Sequence, residues 1–263
     1  MSRPFPVLFV SHGSPGIMLS DNGYGRALRH FTGGCTAPRA VVVVSAHWQT
    51  PGPARVTSGD RPRTLHDFSG FPPALDSISY GCPGDPCLAG EVAGILIGAG
   101  IPATLDPARG LDHGAWVPLR LAFPRGDVPV VQVSMSPSPS ASAAGSMGRA
   151  LGLLRDRGVL LMGSGGIVHN LHLLRPDGDR GPVDSWALEF DAWVRDQVGR
   201  LDTEALTNYR RLAPHAGLAA PTSEHLEPLH FVLGAARPGD RVVDVYEGFI
   251  HGNLSLRTFA LGQ

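Results

Sequence analysis

Lysine is absent from this 263-residue chain, and all 22 of its basic residues are arginine. Schiff-base aldolase chemistry and pyridoxal-phosphate anchoring both need a lysine amine, and a P-loop needs one on its phosphates, so all three are excluded. Cysteine is scarce. Cys35, Cys82 and Cys87 are odd in number and have no C-x-x-C spacing, which argues against a disulfide scaffold or a zinc ribbon. Cys82 and Cys87 flank a Pro-Gly-Asp-Pro turn and read as loop residues rather than a redox pair. Charge of one sign is also lacking. The net charge of −1 leaves no basic face to recruit nucleic acid and no polybasic segment to recruit a membrane. No apolar run approaches the ~20 residues of a membrane span. The opening Met1-Ser2-Arg3-Pro4 leads directly into the short run Phe5–Val10, which is too brief for a signal-peptide core and has no cleavage site. The expected location is the cytoplasm.

What is present suits a folded core, with 43% hydrophobic and 17% charged residues. Strand-like runs fall at Phe5–Val10, Val41–Ser45, Val130–Ser134, Val159–Met162 and Val242–Tyr246, with a weaker one at Ile101–Leu105. Helical candidates lie between them at Cys87–Ala99, Trp116–Phe123, Ser142–Asp156, Ser185–Leu201 and Glu224–Ala236. The alternation predicts an α/β fold, a single domain over 1–263 with a mostly parallel central sheet flanked by helices. The Ser/Pro/Ala stretch Ser134–Ala144 is too short to link domains and reads as a loop.

The histidines carry the functional signal. His12 follows the first strand in Ser11-His12-Gly13-Ser14-Pro15-Gly16, and His47 follows the second in Ser45-Ala46-His47-Trp48. His169 lies just past the Val159 strand, after Gly163-Ser164-Gly165-Gly166. Open α/β sheets bind ligands beyond the carboxyl ends of their strands, so three strands deliver an imidazole to one edge. One such histidine is an ordinary loop residue; three together suit a transition metal, for which neutral imidazole is the commonest ligand. His113, in Leu111-Asp112-His113-Gly114, precedes a helix that Asp112 either caps or uses to orient a histidine. His225 stands at the start of the Glu224 helix, which Thr222 or Ser223 is expected to cap. It faces the site only if that first turn points at the sheet edge. Glu224 reads as a helix-dipole residue rather than a ligand. His172 is expected to be solvated or to support His169, and His66 to sit in a pocket-lining loop. His30, His215 and His230 are expected to be surface or packing residues.

Taken in order, Ser11–Pro15, Val42–Trp48, His66–Pro72, Leu111–Pro118, Ser164–Leu171, Pro221–Leu229 and, loosely, Leu254–Phe259 resemble the class III extradiol ring-cleaving dioxygenases, in the DOPA 4,5-dioxygenase-like branch. The resemblance implies a single α/β domain. It implies His12, His47 and His225 as metal ligands, His169 as the acid–base residue, and His113 as a second active-site histidine touching substrate or oxygen. It also implies a small aromatic diol and O2 as substrates and Fe(II) as the working metal, at a site Zn(II) can also occupy. The chain departs from the branch in having His251-Gly252-Asn253 where Met-Gly-Ser is frequent, and in lacking a histidine in the Ser134–Ala144 loop.

Other readings of the same residues are a zinc-dependent hydrolase and, ranked lower, a tetrapyrrole metal chelatase, which would leave His47-Trp48 and Asp112-His113-Gly114 unexplained. A non-catalytic metal-binding module has no need of His169 and His113 beside a full ligand set. Serine hydrolysis lacks its G-x-S-x-G elbow.

Overall fold

A computed structural model describes residues 4–34, 36–138, 140–175 and 181–262. Its strands are β1 (Val7–Ser11), β2 (Ala40–Gln49), β3 (Ala54–Thr57), β4 (Ala103–Asp106), β5 (Val130–Met135), β6 (Val159–Gly165), β7 (Arg241–Tyr246), β8 (Phe249–Ile250), β9 (Leu254–Ser255) and β10 (Thr258–Gly262). The helices are α1 (Gly23–Gly33), α2 (Pro86–Gly98), α3 (His113–Ala122), α4 (Ala141–Leu151), α5 (Ser185–Gly199), the short α6 (Thr203–Thr207), α7 (Tyr209–Leu212) and α8 (Ala216–Ala219), and α9 (Glu227–Gly234).

Eight strands make one sheet in the order β4-β3-β5-β2-β6-β1-β10-β7. The middle four, β5, β2, β6 and β1, run parallel, so their carboxyl ends share one edge. β10 is antiparallel to both β1 and β7, and β3 is antiparallel to β5. The run Val41–Val44 is fully buried, as a central parallel strand covered on both faces must be. Val41 and Val43 pack with Leu8, Val10 and Trp116 on the α3 side. Val42 and Val44 pack with Val131, Leu161 and the apolar faces of α2, α4, α5 and α9 on the other. The expected single α/β unit with helices on both faces is what the chain builds.

Several boundaries differ from expectation. β2 runs on to Gln49, so His47 lies within the strand, inside the stretch between Val44 and Gln49 where the pairing with β5 shifts register. Ser134 and Met135 close β5, and Ala141–Ala144 open α4, so the loop expected over the Ser/Pro/Ala stretch is confined to its middle, between Met135 and Ala141; Pro139 lies outside the described residues. α9 begins at Glu227 rather than Glu224 and has no side-chain cap, because residues 224–226 form a turn. Asp112, in contrast, does cap α3 by accepting from the Ala115 amide. Cys35 lies outside the described residues. Cys82 is buried, which pushes its thiol up to about 12, and Cys87 is exposed. Both are free, as expected for residues without a redox role.

Candidate metal centre

His12 is the first residue past β1, and its amide donates to the Gly165 carbonyl at 3.0 Å, which pins it to the end of β6. Gly13 follows with φ +65°, a conformation glycine adopts freely, and a side chain there would overlap Leu256. The His12 Nδ1 lies 3.0 Å from Ser164 Oγ. The Ser164 hydroxyl donates its only hydrogen to the Gly114 carbonyl. It therefore accepts from His12, so Nδ1 carries the proton and Nε2 is left with its lone pair.

His47 presents Nε2 to the same point, 3.0 Å from His12 Nε2. Its strand end is braced from α3: Ser45 Oγ donates to Asp112 Oδ1 at 2.7 Å, and the His47 amide donates to Ser45 Oγ at 3.2 Å. Asp112 is completely buried and also accepts from Gln132, so it holds β2, β5 and α3 together besides capping the helix. Gly114 permits this proximity, since a Cβ there would lie 2.9 Å from the His47 ring.

His225 reaches the centre because β6 is built from glycine. Side chains at Gly163 and Gly165 would overlap the carbonyls of Pro228 and His225, and the Gly166 amide donates to the His225 carbonyl at 2.9 Å. The turn before α9 thus lies directly on the end of β6. Its Nε2 comes within 3.4 Å of His47 Nε2. The Nδ1 donates to Glu224 at 3.1 Å, again freeing Nε2. Glu224 is therefore neither ligand nor dipole residue here: it holds the His225 ring, and Thr222 hydrogen-bonds to it instead of capping the helix. Hydrogen bonding to His225 pulls the Glu224 carboxyl down to about 2.

His113 closes the group. His12, His47 and His113 offer ring nitrogens that all lie within 4.8 Å of one another. Asp67 Oδ1 accepts from both the His113 amide, at 2.8 Å, and its Nδ1, at 3.0 Å. His169 stacks on His225 with ring centroids 3.4 Å apart. Burial, reinforced by the neighbouring imidazoles, pushes His12 well below its ordinary value, His47 down to about 2 and His169 down to about 3. At neutral pH these rings are uncharged and need lose no proton to bind a cation.

The site therefore gathers all five expected histidines, His12, His47, His113, His169 and His225. Imidazoles bonded at about 2.0–2.1 Å to one ion lie roughly 3.0–3.4 Å apart at tetrahedral or octahedral angles. The separations of His47 Nε2 from His12 Nε2 and from His225 Nε2 match that spacing, so the donors fit a divalent metal. His66 is exposed and hydrogen-bonds the Ile78 carbonyl, its ring near Phe68 and Trp116 rather than the centre. His172 is exposed, His215 pairs with Glu189, and His230 is buried in α9. Sequence reasoning passed over Asp67 and the hydroxyl of Ser164, although both stood inside quoted motifs.

The family model for the catalytic LigB subunit of aromatic ring-opening dioxygenase matches residues 8–249. The chain belongs to this family. It is 41% identical to the 4,5-DOPA dioxygenase extradiol of Escherichia coli K12, over 99% of this chain and 96% of that one. It is 37% identical to the protein of the same name from Portulaca grandiflora, over 95% and 93%. A crystal structure of an uncharacterized E. coli K12 protein superposes with a TM-score of 0.82 at 36% identity, covering 98% of this chain and all of that one. This LigB-family protein is thus an extradiol ring-cleaving dioxygenase, a metal-dependent oxidoreductase acting on an aromatic substrate and O2, and the hydrolase and chelatase readings are not favoured. No helix among the described residues is long and apolar enough to cross a membrane.

Proposed function

We propose that the protein opens a catechol-type ring beside its diol, with Fe(II) held by His12, His47 and His225. The observation that carries this reading is the convergence of three imidazole Nε2 atoms, 3.0 and 3.4 Å apart, with two of the rings fixed in the ligating tautomer by Ser164 and Glu224. His113 is an alternative third ligand by distance alone. Its place here is beside the ion, where Asp67 orients it to touch substrate or oxygen. Fe(II), when bound, supplies a redox relay between an electron-rich diol and O2 that Zn(II), with no accessible redox state, does not.

The chain's own residues do the rest. His169, neutral and stacked on His225, accepts the proton that a diol loses on binding and returns it as the ring opens. Phe68, edge-on to His113 with centroids 5.6 Å apart, walls the site against water. DOPA, which the relatives' names specify, is one such catechol. We read residues 1–263 as one catalytic domain working in the cytoplasm.

The test is anaerobic loading with Fe(II), then air and a catechol. A yellow product with matching O2 uptake is expected, while Zn(II) binds without activity. Activity that follows zinc content and consumes no oxygen would overturn the proposal. His169→Ala should keep its metal and lose about 10²–10⁴-fold in turnover. His225→Ala should lose metal while His113→Ala keeps it; the reverse result would exchange their roles.

A further inference from the structure

Away from the metal centre, the carboxyl edge of the sheet holds a cavity of about 150 Å³ that no histidine lines. It lies between Met135 at the end of β5, Ala54 at the start of β3, Ala143 on α4 and Glu227, the first residue of α9. By volume it has room for roughly five waters, or for one molecule of a few heavy atoms. Gly52, Ser136 and Ser140 are exposed on its wall and leave it open to solvent.

Among the described residues, Glu227 is the one charged group in the lining. It is 7% exposed, and the Ser140 amide hydrogen-bonds its carboxyl. Burial pushes that carboxyl up to about 7, and no arginine or histidine among the described residues offsets the effect. The helix starts of α4 and α9 meet here and relieve part of the cost of burying it. The other acceptor sites of the carboxyl are left for a donor inside the cavity. The remaining polar groups in the wall are hydroxyls that already accept from the protein. Ser134 accepts from the Arg55 amide, Ser136 from the Ser138 amide, Ser140 from the Ala143 amide and Ser146 from the Arg149 guanidinium, while Thr50 hydrogen-bonds to Ser134. Alanine, glycine, isoleucine, proline and methionine make up the rest.

An anion would meet a buried carboxyl and no counter-charge. A divalent metal would find a single carboxylate where it needs several ligands. A primary ammonium on a short alkyl chain suits both parts of the wall, its N–H groups facing the carboxyl and its chain lying on alanine and methionine. We propose that this cavity binds a small primary alkylammonium, with Glu227 as its counter-ion, at a site separate from ring cleavage. Nothing in this site depends on which substrate the metal centre opens.

Methionine supplies the reporter. Of the chain's five methionines, Met135 and Met147 line the cavity, and Met18 and Met162 do not. Zinc-loaded protein carrying carbon-13 in its methionine methyls is titrated at pH 8 with propylammonium and, in parallel, with propanol and propionate. Met135→Leu and Met147→Leu assign the two signals. Both should move along a saturable curve with a Kd of about 1–10 mM, as for a ligand of a few heavy atoms, while Met18 and Met162 stay still. Propanol and propionate should bind at least about tenfold more weakly, for want of a charged donor. Glu227→Gln keeps the shape of the side chain and should weaken propylammonium binding by about the same factor. Ala143→Leu, at an exposed position of α4, narrows the cavity and should weaken both the amine and the alcohol. Unmoved Met135 and Met147 signals, shifts that never saturate, propanol binding as well as the amine, or wild-type binding by Glu227→Gln would overturn the proposal.

Discussion

A hydroxyl on the neighbouring strand decides which nitrogen His12 can offer. Ser164 gives its hydrogen to the Gly114 carbonyl and so receives one from His12 Nδ1. Ser164→Ala removes that acceptor and lets the ring change tautomer or rotate. Metal affinity should fall about 10–100-fold, as it does when a ligand's hydrogen-bond partner is lost. Titration with Fe(II) under anaerobic conditions checks this, and unchanged affinity would show that packing alone fixes the ring. The histidines of the site were legible in part: His12, His47 and His169 stand out as strand-end imidazoles, while His225 entered as a ligand only through the resemblance. Their partners were not. Ser164 is 152 residues from His12 and Asp67 is 46 from His113, and only the fold brings each pair together. Glu224 was visible but misread, since its role depends on α9 starting three residues later than the pattern suggested.

At the scale of elements, β6 and α9 act as a pair, and glycine sets their separation. The carbonyls of His225 and Pro228 lie where side chains at Gly165 and Gly163 would be. Gly165→Ala should lift the turn that carries His225, costing about 1–3 kcal/mol of stability and weakening metal binding together. A variant that unfolds earlier in denaturant yet binds metal as the wild type does would separate the two effects and count against this view. The same device recurs further along α9, where side chains at Gly148 and Gly234 would overlap Phe231 and Gly145 of the facing helix. Long, strongly patterned elements such as β2, α2 and α5 could be read from hydrophobicity. Short or weakly patterned elements escaped, β3, α1 and β10 among them. β3 is four residues among prolines and glycines, α1 is glycine-rich at its start and end, and β10 is too short to stand out until β1 pairs with it.

For the molecule as a whole, stability should depend on pH through His230, which is 6% exposed in α9. Burial pushes its pKa from 6.5 down to about 4. Between those values the unfolded chain takes up a proton that the folded one refuses, so stability falls as pH drops from about 6.5 towards 4. The loss should reach up to about 3 kcal/mol, and His230→Leu should remove that part of it. Denaturant unfolding at pH 7 and pH 4.5 for both proteins measures the difference, and parallel pH curves would exclude His230 as the source. Buried ion pairs also join distant parts of the chain. Arg155 holds Asp240 at 2.7 Å while donating to the Phe5 and Ala235 carbonyls, and Arg257 holds Asp191 at 2.6 Å. β10 joins the first and last parts of the chain most directly, lying between β1 and β7 with Leu261 opposite Val7. A nascent chain emerging from a ribosome therefore carries an uncovered β1 edge from the moment residues 7–11 appear, and that edge remains open to pairing with a neighbouring chain until residues 258–262 arrive. Expression yield should respond to whatever shelters that edge in the interval.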